Sequence, residues 1–155
     1  MYKNILLPLD AGGVPPDVVA HTINLARDLG AAVVGLRVVT VMPSEEPFFQ
    51  RVQVEVGSRG ARLREEANAL LGNLEGQFRD AGVAFSGEVL VSDATEPDAI
   101  VKHAEDKGCD LILMAMQEQS GVSRWLMGNT ADKVRHRAGM PVLFVRSGGK
   151  SSGEE

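Results

Sequence analysis

The chain has a single cysteine, Cys109, among its 155 residues. One thiol cannot close an internal disulfide, so the fold must hold by packing alone, as suits a reducing cytoplasm. Positive charge is also scarce: 16 Lys and Arg stand against 21 Asp and Glu, a net charge of -5. That balance argues against a general nucleic-acid surface and against attraction to acidic membranes. No apolar run approaches the ~20 residues that a membrane helix needs. The amino terminus, MYKNILLPLD, lacks a distinct basic region, apolar segment and cleavage site, so no secretory leader is expected. Internal repeats and an inserted domain are missing too. The expectation is one cytoplasmic domain over residues 1–146, long enough for a substantial core, and a polar, disordered tail over 147–155.

What is present is an alternation of strand-like and helix-like segments. Lys3 to Leu9 is an apolar run ending in Pro8-Leu9-Asp10, and Gly and Pro punctuate the loop that follows. From Asp17 an apolar stripe at helical spacing runs to Leu29 and stops at Gly30. Ala32 to Val41 reads as a second strand, with Arg37 its only charge. Residues 43–53 read as a loop containing Phe48 and Phe49, a satellite cluster or a lid. A long helix then reaches about Ala81, with Leu63, Ala67, Leu70, Leu71, Leu74 and Phe78 on one face. Gly57 and Gly60 mark the place for a break in it, because each glycine costs roughly 1 kcal/mol against alanine. Val83 to Val91 is the third strand; Thr95 is a candidate helix cap and Pro97 falls in the first turn of the next helix.

Leu111 to Ala115 has no polar alternation, which fits a strand buried on both faces of a parallel sheet. A polar loop is expected from Gln117 to Ser120, a helix over about Asn129 to Arg137, and a last strand over Pro141 to Arg146. The end of a central parallel strand, leading into a helix amino terminus, is a favoured ligand position in open α/β sheets.

The segment Met114 to Val145 resembles the carboxyl-terminal part of the universal stress protein family. The shared frame is Ser120-Gly121-Val122-Ser123-Arg124, Gly128, Ala131, Lys133-Val134 and Met140-Pro141-Val142-Leu143. The resemblance implies an open five-stranded parallel sheet, order 3-2-1-4-5, with helices on both faces, of the adenine nucleotide alpha hydrolase-like kind. It further implies nucleotide contacts at Pro8, Asp10, Val38, Met114, Ala115, Glu118, Gly128 and Asn129, with Asp10 on the ribose and Val38 on the base. Nucleotide-binding members carry glycines at the positions held here by Ala115 and Glu118, and a Gly-Ser or Gly-Thr pair at Gly128-Asn129. A side chain at Ala115, and a charge at Glu118, both oppose close approach of a polyphosphate. Weak or absent ATP binding follows, with ATP or AMP and magnesium as the candidate ligands and an adenine nucleotide with fewer phosphates as the alternative.

Asp10 has a second reading, as a strand-end carboxylate satisfied by turn N–H groups. His21, His103 and His136 are widely spaced and lack partners at metal-ligand spacing, so neither a metal site nor a catalytic site is expected. Cys109 has no Cys-x-x-Cys partner and reads as inert. Ser120 and Ser123 have no recognisable base and read as donors. Arg124 and Trp125 read as helix-start residues or as a pocket cover. The last strand, through Val142, Leu143, Phe144 and Val145, forms an apolar sheet edge suited to a homodimer, which the resemblance also implies. Function would then run through that dimer and a protein partner that the sequence does not identify.

Overall fold

The structure, a computed structural model, describes residues 2–10, 12–40, 46–119, 122–125 and 129–147; along 46–60, 117–119, 122–125 and at 129 it describes the backbone. In chain order the elements are β1 (Asn4–Leu9), α1 (Pro16–Leu29), β2 (Ala32–Thr40), α2 (Glu46–Asp80), β3 (Phe85–Ser92), α3 (Glu96–Asp106), β4 (Leu111–Gln119), β5 (Val122–Trp125), α4 (Asn129–Arg137) and β6 (Val142–Ser147). The parallel strands run β3-β2-β1-β4-β6, which is the expected order 3-2-1-4-5 once the short antiparallel β5 is set aside.

Strand alternation divides the core into two layers. Ile5, Leu7 and Leu9 of β1 pack with Val18, Val19 and Ala26 of α1 and with Leu71, Leu74 and Phe78 of α2. Leu6, Leu36, Val38, Ile112 and Met114 face the other way, against Ala99, Ile100 and Ala104 of α3 and Ala131 and Val134 of α4. Both faces of the central strands are therefore dry, which explains why their sequences lack polar alternation.

Helix α2 departs from expectation at its start. Most of the expected loop 43–53 is helical from Glu46, and no break occurs at Gly57 or Gly60. Pro47 is compatible with this because it occupies the first turn, where a missing N–H costs nothing. Farther along, α2 lies close on the sheet at two glycines paired in register, Gly35 of β2 and Gly87 of β3. A Cβ at Gly87 would sit 2.9 Å from Leu71 Cβ, and one at Gly35 would sit 2.5 Å from Phe85 Cζ and 3.2 Å from Leu71 Cδ2. The glycines thus form a slot for Leu71, which Gly35 shares with the Phe85 ring. Phe78 and Phe85 stack beside it, with ring centroids 4.8 Å apart.

The amino ends of β1 and β4 are joined by Asp110. Its carboxylate accepts from Lys3 N–H at 3.1 and 3.0 Å and from Asn4 N–H at 3.1 Å. Asp110 N–H in turn donates to Asn4 O at 3.0 Å. Ser147, expected in the disordered tail, is instead the last residue of β6. It is 3% exposed, and its hydroxyl donates to Asp17 Oδ1 at 2.8 Å, so a polar side chain is accommodated at the strand end. Residues 148–155 lie outside the described residues. Among the described residues, no helix is long and apolar enough to cross a membrane.

Candidate functional site

The crevice at the switch point arises from Pro8. Asn4 O accepts from Asp110 N–H whereas Lys3 O accepts from Ala32 N–H. Alternation then turns the backbone groups of Asn4, Leu6 and Pro8 toward β4. The β1–β4 ladder ends at Leu6↔Ile112, two residues before the proline. Proline has no N–H to continue it. The β1–β2 ladder, which does not need that donor, runs on through Pro8↔Leu36 to Leu9↔Arg37. The two central strands separate just where Asp10 follows.

Across this gap β4 does not turn into a loop at Gln117. It continues to Gln119 and pairs antiparallel with β5, Met116↔Trp125 through Gln119↔Val122. Met116 and Gln117 also pair in parallel with Arg146 and Ser147. A strand residue has one neighbour on each side, so β5 must occupy the edge of β4 that β1 has left. The expected polar loop is thus a β-ladder; Ser123 is a strand residue, and so are Arg124 and Trp125, which are not the start of a helix. The sequence carries a signal for this: Val122 to Trp125 follow Ser120-Gly121, a dipeptide that punctuates hairpins.

The predicted site residues fall in three groups. Pro8, Val38 and Met114 are buried; Val38 is 2% exposed and Met114 0%, both in the layer under α3 and α4. Ala115 belongs to the opposite layer, under α1 and α2, so its methyl group is part of that core. Glu118 is opposite Ser123 in the hairpin, and Asn129 begins α4. Gly128 lies outside the described residues, as do Ser120, Gly121 and Met127.

Asp10 is partly exposed; its Oδ1 accepts from Gly12 N–H at 2.9 Å and its carbonyl from Gly13 N–H at 3.0 Å. These bonds fit the reading of a strand-end carboxylate held by its own turn. They leave it at the mouth of the crevice, where the structure adds residues that the sequence did not single out. Glu96, the first residue of α3, lies 4.0 Å from Arg37 Nη1, and that guanidinium also donates to Val38 O. Burial pushes the Glu96 carboxyl above its ordinary range; Arg37 opposes the rise, Asp10 adds to it, and a hydrogen bond with Thr130 of α4 opposes it. Four elements therefore deliver Asp10, Arg37, Glu96 and Thr130 to one end of the sheet. Glu96 was hidden in the sequence because it reads as an ordinary acidic first-turn residue.

The remaining candidates lie elsewhere. His103 has an unforeseen partner, Glu88 on β3: Nε2 is 2.7 Å from Oε1, close but not aligned as a hydrogen bond, and Lys107 Nζ is 3.1 Å from Oε2. This cluster joins α3 to β3. Cys109 is 5% exposed, and burial, followed by Asp110 and Glu88, pushes its thiol up against the smaller effect of Lys107, which makes it a poor nucleophile. Among the described residues no His, Cys, Asp and Glu group could hold a metal. A groove of about 550 Å³ lies between the β1–α1 loop and α2, lined by Leu9, Gly12, Gly13, Val14, Leu70 and Gln77 among others. It is on the α1–α2 side of the sheet, away from Arg37, Glu96 and Thr130, so this groove and those convergent groups do not coincide.

The model of the universal stress protein family matches residues 1–146. A universal stress protein of Methanocaldococcus jannaschii, MJ0531, is 31% identical over 148 residues, covering 94% of this chain and 83% of that one. Among solved structures, MJ0577 superposes with a TM-score of 0.74 at 26% identity, covering 96% of this chain and 98% of that one. The Archaeoglobus fulgidus universal stress protein in complex with dAMP superposes with a TM-score of 0.63 at 19% identity, covering 92% and 97%.

Proposed function

The chain belongs to the universal stress protein family, and from that membership we propose that it is a non-catalytic regulatory protein of the cytoplasmic stress response, a single domain that binds ATP weakly or not at all. The observation that carries this reading is the ladder at Met116 to Gln119. Backbone N–H groups that cradle a phosphate must be free to point at it, and those in a ladder are engaged. Isothermal titration with ATP and with AMP, magnesium present, tests the proposal. Heats too small to fit are expected, and low-micromolar affinity for ATP would overturn it.

Signalling would run through a homodimer along β6 to a protein partner. Among the described residues β6 pairs with β4 alone, and Leu143 is 37% exposed on it. Val142 and Phe144 are half-buried, and Val145 is buried. An apolar edge strand pairing antiparallel with its own copy satisfies both edges by one twofold contact. Lys at Val142 or Phe144 should convert a dimer to monomer in sedimentation velocity; a dimer that survives both substitutions rejects this interface.

A second reading is favoured by the grouping of Asp10, Arg37, Glu96 and Thr130 and by the dAMP-bound neighbour. In it the crevice holds an adenine compound with few phosphates, and Asp10→Ala abolishes that binding.

A further inference from the structure

We propose that the switch-point crevice selects an unphosphorylated nucleoside over its phosphorylated forms, and that Glu96 is the residue that sets this selection. The inference rests on the second reading above, that the crevice takes an adenine compound, and it names the chemical form.

Two independent features oppose a phosphate chain. The first is the backbone. Met116 and Gln117 are bracketed by β5 on one edge and β6 on the other, and Glu118 and Gln119 pair with β5. A phosphate would have to break ladder bonds to find donors there. The second is charge. The charge of Asp10, from the end of β1, acts on Glu96 of α3, and Arg37 from β2, 4.0 Å from Glu96, is the one cation among the groups that do so. Arg37 is already engaged with Val38 O and with Glu96. A dianion entering this set meets two carboxylates and a guanidinium that is in use.

A nucleoside suits the same groups. Ribose hydroxyls donate to carboxylates, and hydroxyl-to-carboxylate bonds are short and strong. Asp10, partly exposed at the mouth and oriented by Gly12 N–H, is placed to accept them. Glu96 then acts as a gate on charge. When ionised it repels phosphate; when protonated it becomes a neutral donor and the repulsion from α3 disappears. Its carboxyl is pushed up by burial, with Asp10 adding to the rise and Arg37 and Thr130 opposing it, so it takes its proton before an ordinary glutamate would. Selection against phosphate should therefore be sharpest at neutral to alkaline pH and relax as the medium becomes acidic.

The test is isothermal titration of the wild-type protein and of Glu96→Gln with adenosine, AMP and ATP, free of magnesium, at mildly acidic and mildly alkaline pH. Circular dichroism first establishes that the variant is folded. Wild type at alkaline pH should bind adenosine about tenfold or more tightly than AMP, with ATP weaker still. The ratio should shrink at acidic pH, and in Glu96→Gln it should be small at both. AMP or ATP binding as tightly as adenosine would overturn the inference while leaving the second reading intact. A wild-type ratio that survives in Glu96→Gln would overturn the role of Glu96. If none of the three compounds binds, the reading falls, and the inference with it.

Discussion

Asp110 and Glu96 lie at opposite ends of the same sheet, and the fold drives their carboxyls in opposite directions. Burial pushes Asp110 up, but hydrogen bonds from Lys3 and Asn4 N–H outweigh it and hold the group below the ordinary aspartate range. Glu96 has Arg37 at 4.0 Å and Thr130, yet burial wins and the group rises. A carboxylate given backbone donors belongs to the scaffold, where the charged form is what the fold requires. One left short of donors retains a choice of protonation state, which is what a binding group can use. The amino end of the sheet is fixed, and the carboxyl end is adjustable.

The comparison can be broken from largest to smallest effect. Gly87→Ala should destabilise the protein by about 1–3 kcal/mol, because the new methyl would meet Leu71 Cβ at 2.9 Å. That loss should be the same at every pH in urea denaturation, since it disturbs both ends alike. Asp110→Ala removes the acceptor for Lys3 and Asn4 and should cost about 1–2 kcal/mol at neutral pH. Its native pKa is lowered, so the stabilisation is present above the unfolded value and lost as pH falls through the folded one. Wild type and variant should therefore converge in strong acid. Thr95→Ala removes the cap that accepts from Asp98 N–H at 3.4 Å, a long bond, and should cost about 0.5 kcal/mol. Glu96→Gln should have the smallest effect and the opposite sign. A raised native pKa gives stability that is lost as pH rises through it, so the variant should gain on wild type from acid to neutral pH. If Glu96→Gln instead behaves like Asp110→Ala across pH, the contrast between the two ends is wrong.

The parallel sheet was legible because buried strands leave a plain mark: Leu111 to Ala115 and Ile5 to Leu9 have no polar alternation, and Gly30 stops α1 by its left-handed φ of 67°; the strand order was legible only through the family resemblance. What the sequence concealed was set by tertiary pairing. Gln117 to Gln119 look like loop residues because a short hairpin strand at a crevice need not be apolar on either face. The start of α2 is hidden in the sequence because Pro47 falls inside it, although proline in a first turn is compatible with a helix. Asp10 was legible as a strand-end residue at the crevice. Glu96 and Arg37 are 59 positions apart in the chain and meet only because α3 crosses over β2.

Leu71 seated between Gly35 and Gly87 also constrains how α2 can move. A side chain lodged between two paired glycines acts as a key in a keyway. Sliding the helix along its axis would drive Leu71 into the flanking residues of β2 and β3, where Cβ atoms fill the space. Rotation about the key needs no such displacement. A one-turn ratchet, open to helices packed on smooth surfaces, is closed to this one. A partner pulling on α2 would therefore tilt it as a lever with its fulcrum on the β2–β3 pair, and that strain would be felt first in β3, at the edge of the sheet.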